Sequence, residues 1–286
     1  MPELPEVETV SQGLRERALG RRILGVEVRH PGAIVGSPEQ FAAEVEGRTI
    51  VSVQRKGKVL ALELEAENAP PCYLLVRLGM TGQFTVAARE APLEPHTHVL
   101  LALSEREELR FRDVRRFGRL RCCTREELEA AFARLGPDAQ QMTEEQFLTA
   151  LRSRRGAIKS WLMNQQLLAG LGNIYADESL FVAGIHPLAQ PGRISARKGR
   201  RLFRAVRKVL DHAVKLQGTS FRDYVDIEGR PGNYELRLRV YQRTGKPCRR
   251  CGGPIRRMVI AGRSSHFCPR CQPRPHEVAR MRGPRH

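Results

Sequence analysis

The chain has 286 residues, with 49 Lys+Arg against 31 Asp+Glu and a formal net charge of +18. A composition that is 41% hydrophobic and 28% charged excludes wholesale disorder. No apolar run approaches the ~20 residues of a membrane-spanning helix, and the acidic start MPELPEVETV has no apolar core of a signal peptide, so a cytoplasmic, non-membrane protein of two domains is expected. The positive surplus is uneven. Residues 1–70 are nearly balanced, whereas 193–286 hold most of it, including Arg193, Arg197, Lys198, Arg200 and Arg201. Such asymmetry points to a polyanion, because Lys and Arg that neutralise phosphates release condensed counterions.

In chain order, Val7, Val10, Leu14 and Ala18 share one helical face, predicting a helix over 3–18 with Pro5 tolerated in its first turn. Short strand-like stretches separated by turn residues follow at 49–54, 58–64, 73–78, 83–86, 99–103, 109–112 and 118–122. Many short strands behind one helix predict a β-sandwich, not an α/β sheet. The pattern changes at Thr124. Thr124-Arg-Glu-Glu127 and Thr143-Glu-Glu-Gln146 both read as capping boxes that open helices. A long helix starts near Ser195, with Leu202, Phe203, Val206, Val209, Leu210 and Ala213 in one stripe, and stops before Gly218.

Leu167-Leu-Ala-Gly-Leu-Gly-Asn-Ile-Tyr175 predicts a tight helix-to-helix turn with Asn173 opening the second helix. It serves equally as an Asn-capped structural turn or as a phosphate site at a helix N-terminus. Four of the seven cysteines form Cys248-x2-Cys251 and Cys268-x2-Cys271, the spacing of a four-thiolate zinc ribbon built as two β-hairpins joined by metal. Two disulfides are the other use of four cysteines, and they belong to oxidising compartments. Cys72, Cys122 and Cys123 remain as small buried hydrophobes. Adjacent Cys122 and Cys123 must face opposite ways in a strand.

Five separated motifs occur in a fixed order: Met1-Pro-Glu-Leu-Pro-Glu-Val-Glu8, Arg55-Lys-Gly-Lys58, Leu78-Gly-Met-Thr-Gly82, Asp113-Val-Arg-Arg-Phe-Gly118 and Gly170-Leu-Gly-Asn-Ile-Tyr-Ala-Asp-Glu-Ser-Leu-Phe181. With the ribbon, they make the chain similar to the formamidopyrimidine-DNA glycosylases, bacterial base-excision repair enzymes. The resemblance implies a catalytic β-sandwich domain with a leading helix (1–123), a helix-two-turn-helix DNA-binding domain (124–236), a four-cysteine zinc ribbon (237–273) and a basic tail (274–286). It also implies a monomer in the bacterial cytoplasm, associated with the nucleoid. That monomer would carry one structural zinc ion and bind double-stranded DNA with an oxidised base in a basic cleft.

The resemblance further implies roles for single residues, and each has a plainer reading beside it. Pro2, once Met1 is removed, would attack C1′ of the damaged nucleotide through its secondary amine; otherwise it is an ordinary residue at a helix start. Glu3 would be the general acid/base, assisted by Glu6; both are also carboxylates favoured by the helix dipole. Lys58 would help elimination and contact phosphate, or lie in a solvated turn. Arg263 would grip the lesion phosphate and assist δ-elimination, or be one phosphate-binding arginine among many.

Met80, Arg115 and Phe117 would fill the hole left by a flipped base and read its orphaned partner, although Phe117 in an alternating strand could equally be core. His96, Arg154, Lys159 and Asn173 would track the DNA backbone, and 218–234 would close over the lesion. The chain departs from the family's usual pattern at Val114, at Asn164 and in a small insertion at 65–72. The expected reaction is removal of oxidised purines followed by β,δ-elimination. The alternatives are an endonuclease VIII-like enzyme for oxidised pyrimidines and a non-catalytic zinc-ribbon DNA-binding protein.

Overall fold

Glu3 and Glu6 set the start of the first helix, α1 (Leu4–Arg17): they form a reciprocal capping box, with Pro5 in the first turn. The computed structural model describes residues 2–152, 155–221 and 223–275. Val7, Val10, Leu14 and Ala18 turn inward and are fully buried, as the periodicity predicts. Then come β1 (Ile23–Val28), α2 (Pro38–Val45), β2 (Thr49–Lys56), β3 (Val59–Ala66), β4 (Ala69–Arg77), β5 (Gly82–Ala88), β6 (Thr97–Leu103), β7 (Glu107–Asp113) and β8 (Arg119–Cys123).

These strands form two four-stranded antiparallel sheets, ordered β1-β6-β7-β5 and β2-β3-β4-β8. Leu60, Leu62, Leu74 and Val76 of one sheet meet Leu101, Leu109 and Phe111 of the other in a single core, which Val7 and Leu14 of α1 complete. The expected β-sandwich is therefore present. β3 reads as a nearly continuous apolar run because its second face is also covered. Val59, Ala61, Tyr73 and Cys123 pack there with Leu128 of α3 (Arg125–Ala133). Cys122 lies against the sandwich core instead, so the two adjacent cysteines do face opposite ways.

The helical part continues with α4 (Glu144–Arg152), α5 (Ile158–Met163), α6 (Asn173–Ala183) and α7 (Ala196–Lys215). Both predicted capping boxes form. Thr124 Oγ1 accepts from Glu127 N at 3.3 Å, and Thr143 Oγ1 accepts from Gln146 N at 3.2 Å. The cysteine segment holds β9 (Arg256–Ile260) and β10 (Arg263–Phe267). The chain divides into two compact units: residues 1–141, 165–171 and 208–238, and residues 142–164, 172–207 and 239–286.

Three features differ from expectation. β1 and α2 were not predicted, because Gly25 interrupts the alternation of β1 at an irregular register and α2 buries only Phe41 and Val45. The ribbon contains one hairpin, β9–β10, plus an isolated bridge between Pro247 and Pro254, since the first knuckle is too short for paired strands. Finally, Gly172 is the N-cap of α6 and Asn173 its first helical residue, so Asn173 does not cap the helix with its side chain.

The segment 218–234 is stitched into the first unit. Thr219 bridges Asn233, Ile227 O accepts from Val86 N at 2.8 Å, and Tyr224 and Ile227 join the sandwich core. This contact explains Gly13 in mid-helix, since a Cβ there would come within 2.2 Å of Ile227.

Leu62→Ala should destabilise the protein by about 3 kcal/mol, through lost burial plus a cavity. Val259→Ser, on the exposed strand face, should change it by less than about 0.5 kcal/mol. Urea unfolding of both variants checks the pair, and equal losses would contradict the assignment of the core.

Candidate active site and nucleic-acid interface

In the first unit, Pro2 and Glu3 are buried at the head of α1. Glu3 N donates to Glu6 Oε2 at 2.7 Å, and Glu6 Oε1 accepts from Thr219 N at 2.7 Å. One carboxylate thus ties the chain start to the 218–234 segment. Leu4 N donates to Gly170 O at 3.0 Å. Gly170 has φ 115°, and a Cβ there would lie 2.4 Å from Leu4 Cδ1, so only glycine allows this approach.

The β2–β3 turn that carries half-buried Lys58 meets the same segment. A Cβ on Gly57 would lie 2.9 Å from Ala169 Cβ. The turn is rigid because Arg55 is locked beneath it. Its guanidinium donates to Glu8 Oε2 at 2.5 Å, to Asp138 Oδ2 at 2.6 Å and to Gly57 O at 3.1 Å. Asp138 Oδ2 also accepts from Gly57 N at 2.8 Å. Leu4 and Gly57, the chain neighbours of Glu3 and Lys58, therefore both meet the Ala169-Gly170 backbone.

The two loops that carry Met80 and the Arg115–Phe117 stretch are organised by one buried carboxylate. Asp113 accepts from Thr81 Oγ1 at 2.5 Å and from the backbone N–H groups of Arg115 at 3.3 Å and Gly118 at 2.6 Å. Gly79, at φ 63°, lies so close to Gly118 that a Cβ would meet its nitrogen at 2.7 Å. Arg115 and Phe117 stand exposed, with the guanidinium 4.9 Å from the ring centroid, and Met80 is half-buried. Phe117 is thus no core residue. Its 54% exposure reflects the Asp113-held turn, in which Arg116 takes φ 57°. His96 is exposed at φ 68°, and its carbonyl accepts from Asp113 N.

In the second unit, Asp177 is the organising group. It pairs with Lys159 Nζ at 2.7 Å and accepts from Ser265 Oγ at 3.2 Å and His266 N at 2.8 Å. Lys159 Nζ also donates to Ser264 O at 2.5 Å. This corrects the expectation for Lys159. It is 1% exposed, and its ammonium holds β10 instead of facing solvent as a backbone-tracking cation. Asn173 Nδ2 donates to Ser264 Oγ at 3.3 Å, while its buried Oδ1 has no hydrogen-bond partner among the described residues. Arg154 lies outside the described residues.

β10 begins with Arg263. Ala261 and Gly262, both at positive φ, make the two-residue turn before it, so the exposed guanidinium projects from a hairpin tip. Arg263 and Lys159 line a cavity of about 170 Å³ with Met163, Asn164 and Ile260.

Glu178, beside Asp177, accepts from the backbone N–H groups of Arg239, Val240 and Tyr241 at 2.8–3.0 Å. Burial pushes its pKa up, against the downward pull of those three amides. The four ribbon cysteines place their sulfurs within 4.8 Å of one another, with Cys248–Cys271 at 3.9 Å and Cys251–Cys268 at 3.5 Å. Tetrahedral zinc–thiolate bonds require edges of about 3.8 Å, so the donor set fits one zinc ion. The Gly253 amide pulls the Cys251 thiol down to about 7, whereas burial pushes the Cys268 and Cys271 thiols up.

Arg55, Asp113, Asp138 and Asp177 were not read as positioning groups from the sequence. Their partners lie up to 89 residues away, and no local period marks such pairs.

Comparison with known proteins agrees with this architecture. Residues 1–120 match the formamidopyrimidine-DNA glycosylase N-terminal domain, 135–225 the formamidopyrimidine-DNA glycosylase H2TH domain, and 245–274 the zinc finger found in FPG and IleRS. A relative from Solibacter usitatus is 44% identical over 275 residues, 96% of this chain and 100% of its own. One from Herpetosiphon aurantiacus is 43% identical over 276 residues, 95% and 100%. The Lactococcus lactis Fpg solved with DNA containing an abasic site superposes with TM-score 0.88 at 35% identity, covering 95% of this chain and 100% of that one. The same enzyme was also solved with DNA containing an oxidised pyrimidine, at TM-score 0.87 and 35% identity, covering 96% and 100%.

A β-sandwich, a helix-two-turn-helix unit and a four-cysteine zinc finger define the zinc-finger DNA glycosylases of base repair. Within that class, the chain belongs to the formamidopyrimidine-DNA glycosylase family.

Asp177→Ala should destabilise the protein by about 3–5 kcal/mol, because it leaves the Lys159 ammonium buried without a counter-ion. Adding Lys159→Met should recover most of that loss. Thermal unfolding of the single and double variants measures it, and additive losses would show that the pair is not coupled.

Proposed function

We propose that the protein excises oxidised purines, 8-oxoguanine and formamidopyrimidines, from duplex DNA and then cleaves the strand at the resulting site. The observation that carries this reading is that the start of α1, through Leu4, and the Lys58 turn, through Gly57, meet the same Ala169-Gly170 backbone. The reaction requires Met1 to be removed, since an amide nitrogen is no nucleophile. An α-amino group titrates near pH 8, so about a tenth is free base at pH 7, far more than for a lysine.

The Pro2 nitrogen would form a bond to C1′ as the bond to the damaged base breaks. Glu3 would supply a proton in opening the sugar or releasing the base. A secondary amine then gives a cationic Schiff base, an electron sink for loss of the 3′-phosphate by β-elimination and of the 5′-phosphate by δ-elimination. Glu6, bonded to Glu3 N and Thr219 N, orients the acid and the 218–234 segment.

Lys58 would move the proton in the elimination steps. Arg263 would hold the lesion phosphate through its planar fork. Met80 and Phe117 would enter the stack while Arg115 meets the orphaned base, a role supported by the Asp113-held loops. His96 and Asn173 would contact the DNA backbone, and Lys159 would act by positioning β10. A single zinc ion held by Cys248, Cys251, Cys268 and Cys271 would be structural, since four thiolates leave no coordination position for water.

The pyrimidine-containing complex of the L. lactis relative bears on the endonuclease VIII-like alternative, so a test of lesion class has to include oxidised pyrimidines.

Borohydride should trap the protein covalently on duplex DNA containing 8-oxoguanine, and Pro2→Gly should lose at least tenfold of the adduct. Wild-type adduct yield in Pro2→Gly, or activity in a protein whose mass still includes Met1, would remove Pro2 as nucleophile. A higher yield on oxidised pyrimidine than on 8-oxoguanine would reverse the lesion class. Arg263→Ala should stop after β-elimination and leave the unsaturated sugar, read on a sequencing gel. Zinc chelation should abolish DNA binding while the sandwich keeps its strand signal in circular dichroism.

A further inference from the structure

Outside the ribbon, two cysteines face one another. Cys72 of β4 and Cys122 of β8 have Sγ atoms 3.6 Å apart, in van der Waals contact. The β4–β8 register pairs Leu74 with Cys122 and Tyr73 with Cys123. Cys72 and Cys122 are therefore diagonal neighbours on one face of the sheet, and Cys123 points to the other. Cys72 and Cys122 are half-buried and border a cavity of about 540 Å³, walled in part by Glu44, Arg48, Arg121 and Glu127. Among the described residues, the ribbon cysteines are the only cluster of three or more metal-binding side chains, so a metal at Cys72 and Cys122 would lack a third protein ligand. Two thiols in contact, open to a cavity that admits small molecules, form an oxidisable pair.

We propose that Cys72 and Cys122 close to a reversible disulfide when the protein meets a hydroperoxide. The two sulfurs are not equivalent. A hydrogen bond from Cys122 pulls the Cys72 thiol pKa down, and Arg48 adds to this against burial and Glu44. The same bond and burial push Cys122 up. Cys72 is therefore the sulfur that attacks. Its thiolate bonds to one peroxide oxygen, the O–O bond breaks, and the departing oxygen leaves as water or alcohol after taking a proton. The product is Cys72 sulfenic acid. The Cys122 sulfur then attacks the Cys72 sulfur, loses its proton and displaces the hydroxyl as water. Two thiols are oxidised by two electrons, and one peroxide is reduced. The sulfurs must close from 3.6 Å to about 2.05 Å, and because diagonal neighbours stand roughly 7–8 Å apart, closure also requires a small backbone shift where the β4–β8 pairing ends.

The test exposes the full-length, zinc-containing protein to hydrogen peroxide, alkylates it in denaturant and maps unreduced tryptic peptides by mass. The Cys72 peptide should appear joined to the peptide that carries Cys122 and Cys123, about 2 Da below the sum of the two, and dithiothreitol should separate them. Cys123→Ser should still cross-link, which assigns the partner. Cys122→Ser should lose the link and leave Cys72 reactive with dimedone. Recovery of Cys72 and Cys122 both alkylated, at a peroxide dose that has already oxidised the ribbon cysteines, would overturn the proposal. So would a cross-link that persists in Cys122→Ser.

Discussion

The hydrogen bond from Leu4 N to Gly170 O is the constraint on which the proposed chemistry rests. It joins the first turn of α1 to a segment nearly the whole first unit away in sequence. It forms only because Gly170 adopts φ 115° without a side chain. The Lys58 turn reaches the same backbone from another direction, pressed on by Ala169 and held by Arg55 and Asp138. Neither the N-terminus nor a hairpin turn is rigid by nature, since both are the usual places for fraying. Packing both against the same Ala169-Gly170 backbone fixes them, and it holds still the residues proposed for the chemistry.

Buried carboxylates do the same work elsewhere. Glu6, Asp113, Asp138, Asp177 and Glu178 are all buried, and each accepts at least one backbone N–H from a segment outside its own element. A charged acceptor binds an amide more strongly than a neutral one does and fixes a turn that no regular ladder could hold. Several proposed functional residues stand on such a carboxylate: Asp138 braces the turn of Lys58, Asp113 the turn of Arg115 and Phe117, and Asp177 the strand that begins with Arg263. In the proposed function the exposed cation or ring would do the contacting, and the buried acid fixes the segment that carries it.

The sandwich, α1, the capping boxes and the cysteine cluster were legible in the sequence because each follows a local rule: alternation, helical periodicity, a four-residue cap or a CxxC spacing. All seven predicted strands formed, each with at least one end moved by one to four residues. β1 escaped because Gly25 breaks its period, and α2 because two buried residues make too faint a stripe. Lys159 shows a different limit. Its neighbours in sequence are basic and exposed at 155, but its own surroundings come from Asp177 and Ser264, 18 and 105 residues away. A lysine that tracks a phosphate and one that pins a strand look alike until such partners are known. The resemblance to a family supplied candidate residues, and packing sorted those that face outward from those that brace.

This division of labour also affects how the net charge of +18 is distributed. The acids are fewer than the bases, and some of them are spent inside the fold on backbone amides, as Glu6 and Glu178 are. Each acid withdrawn in this way leaves surface arginines such as Arg115, Arg116 and Arg263 with fewer local counter-charges. The surface potential is then more positive than overall composition alone would make it. The interactions that fix the functional turns therefore also strengthen the field that would draw a polyanion to them. Precise positioning and attraction for nucleic acid arise from one distribution of carboxylates.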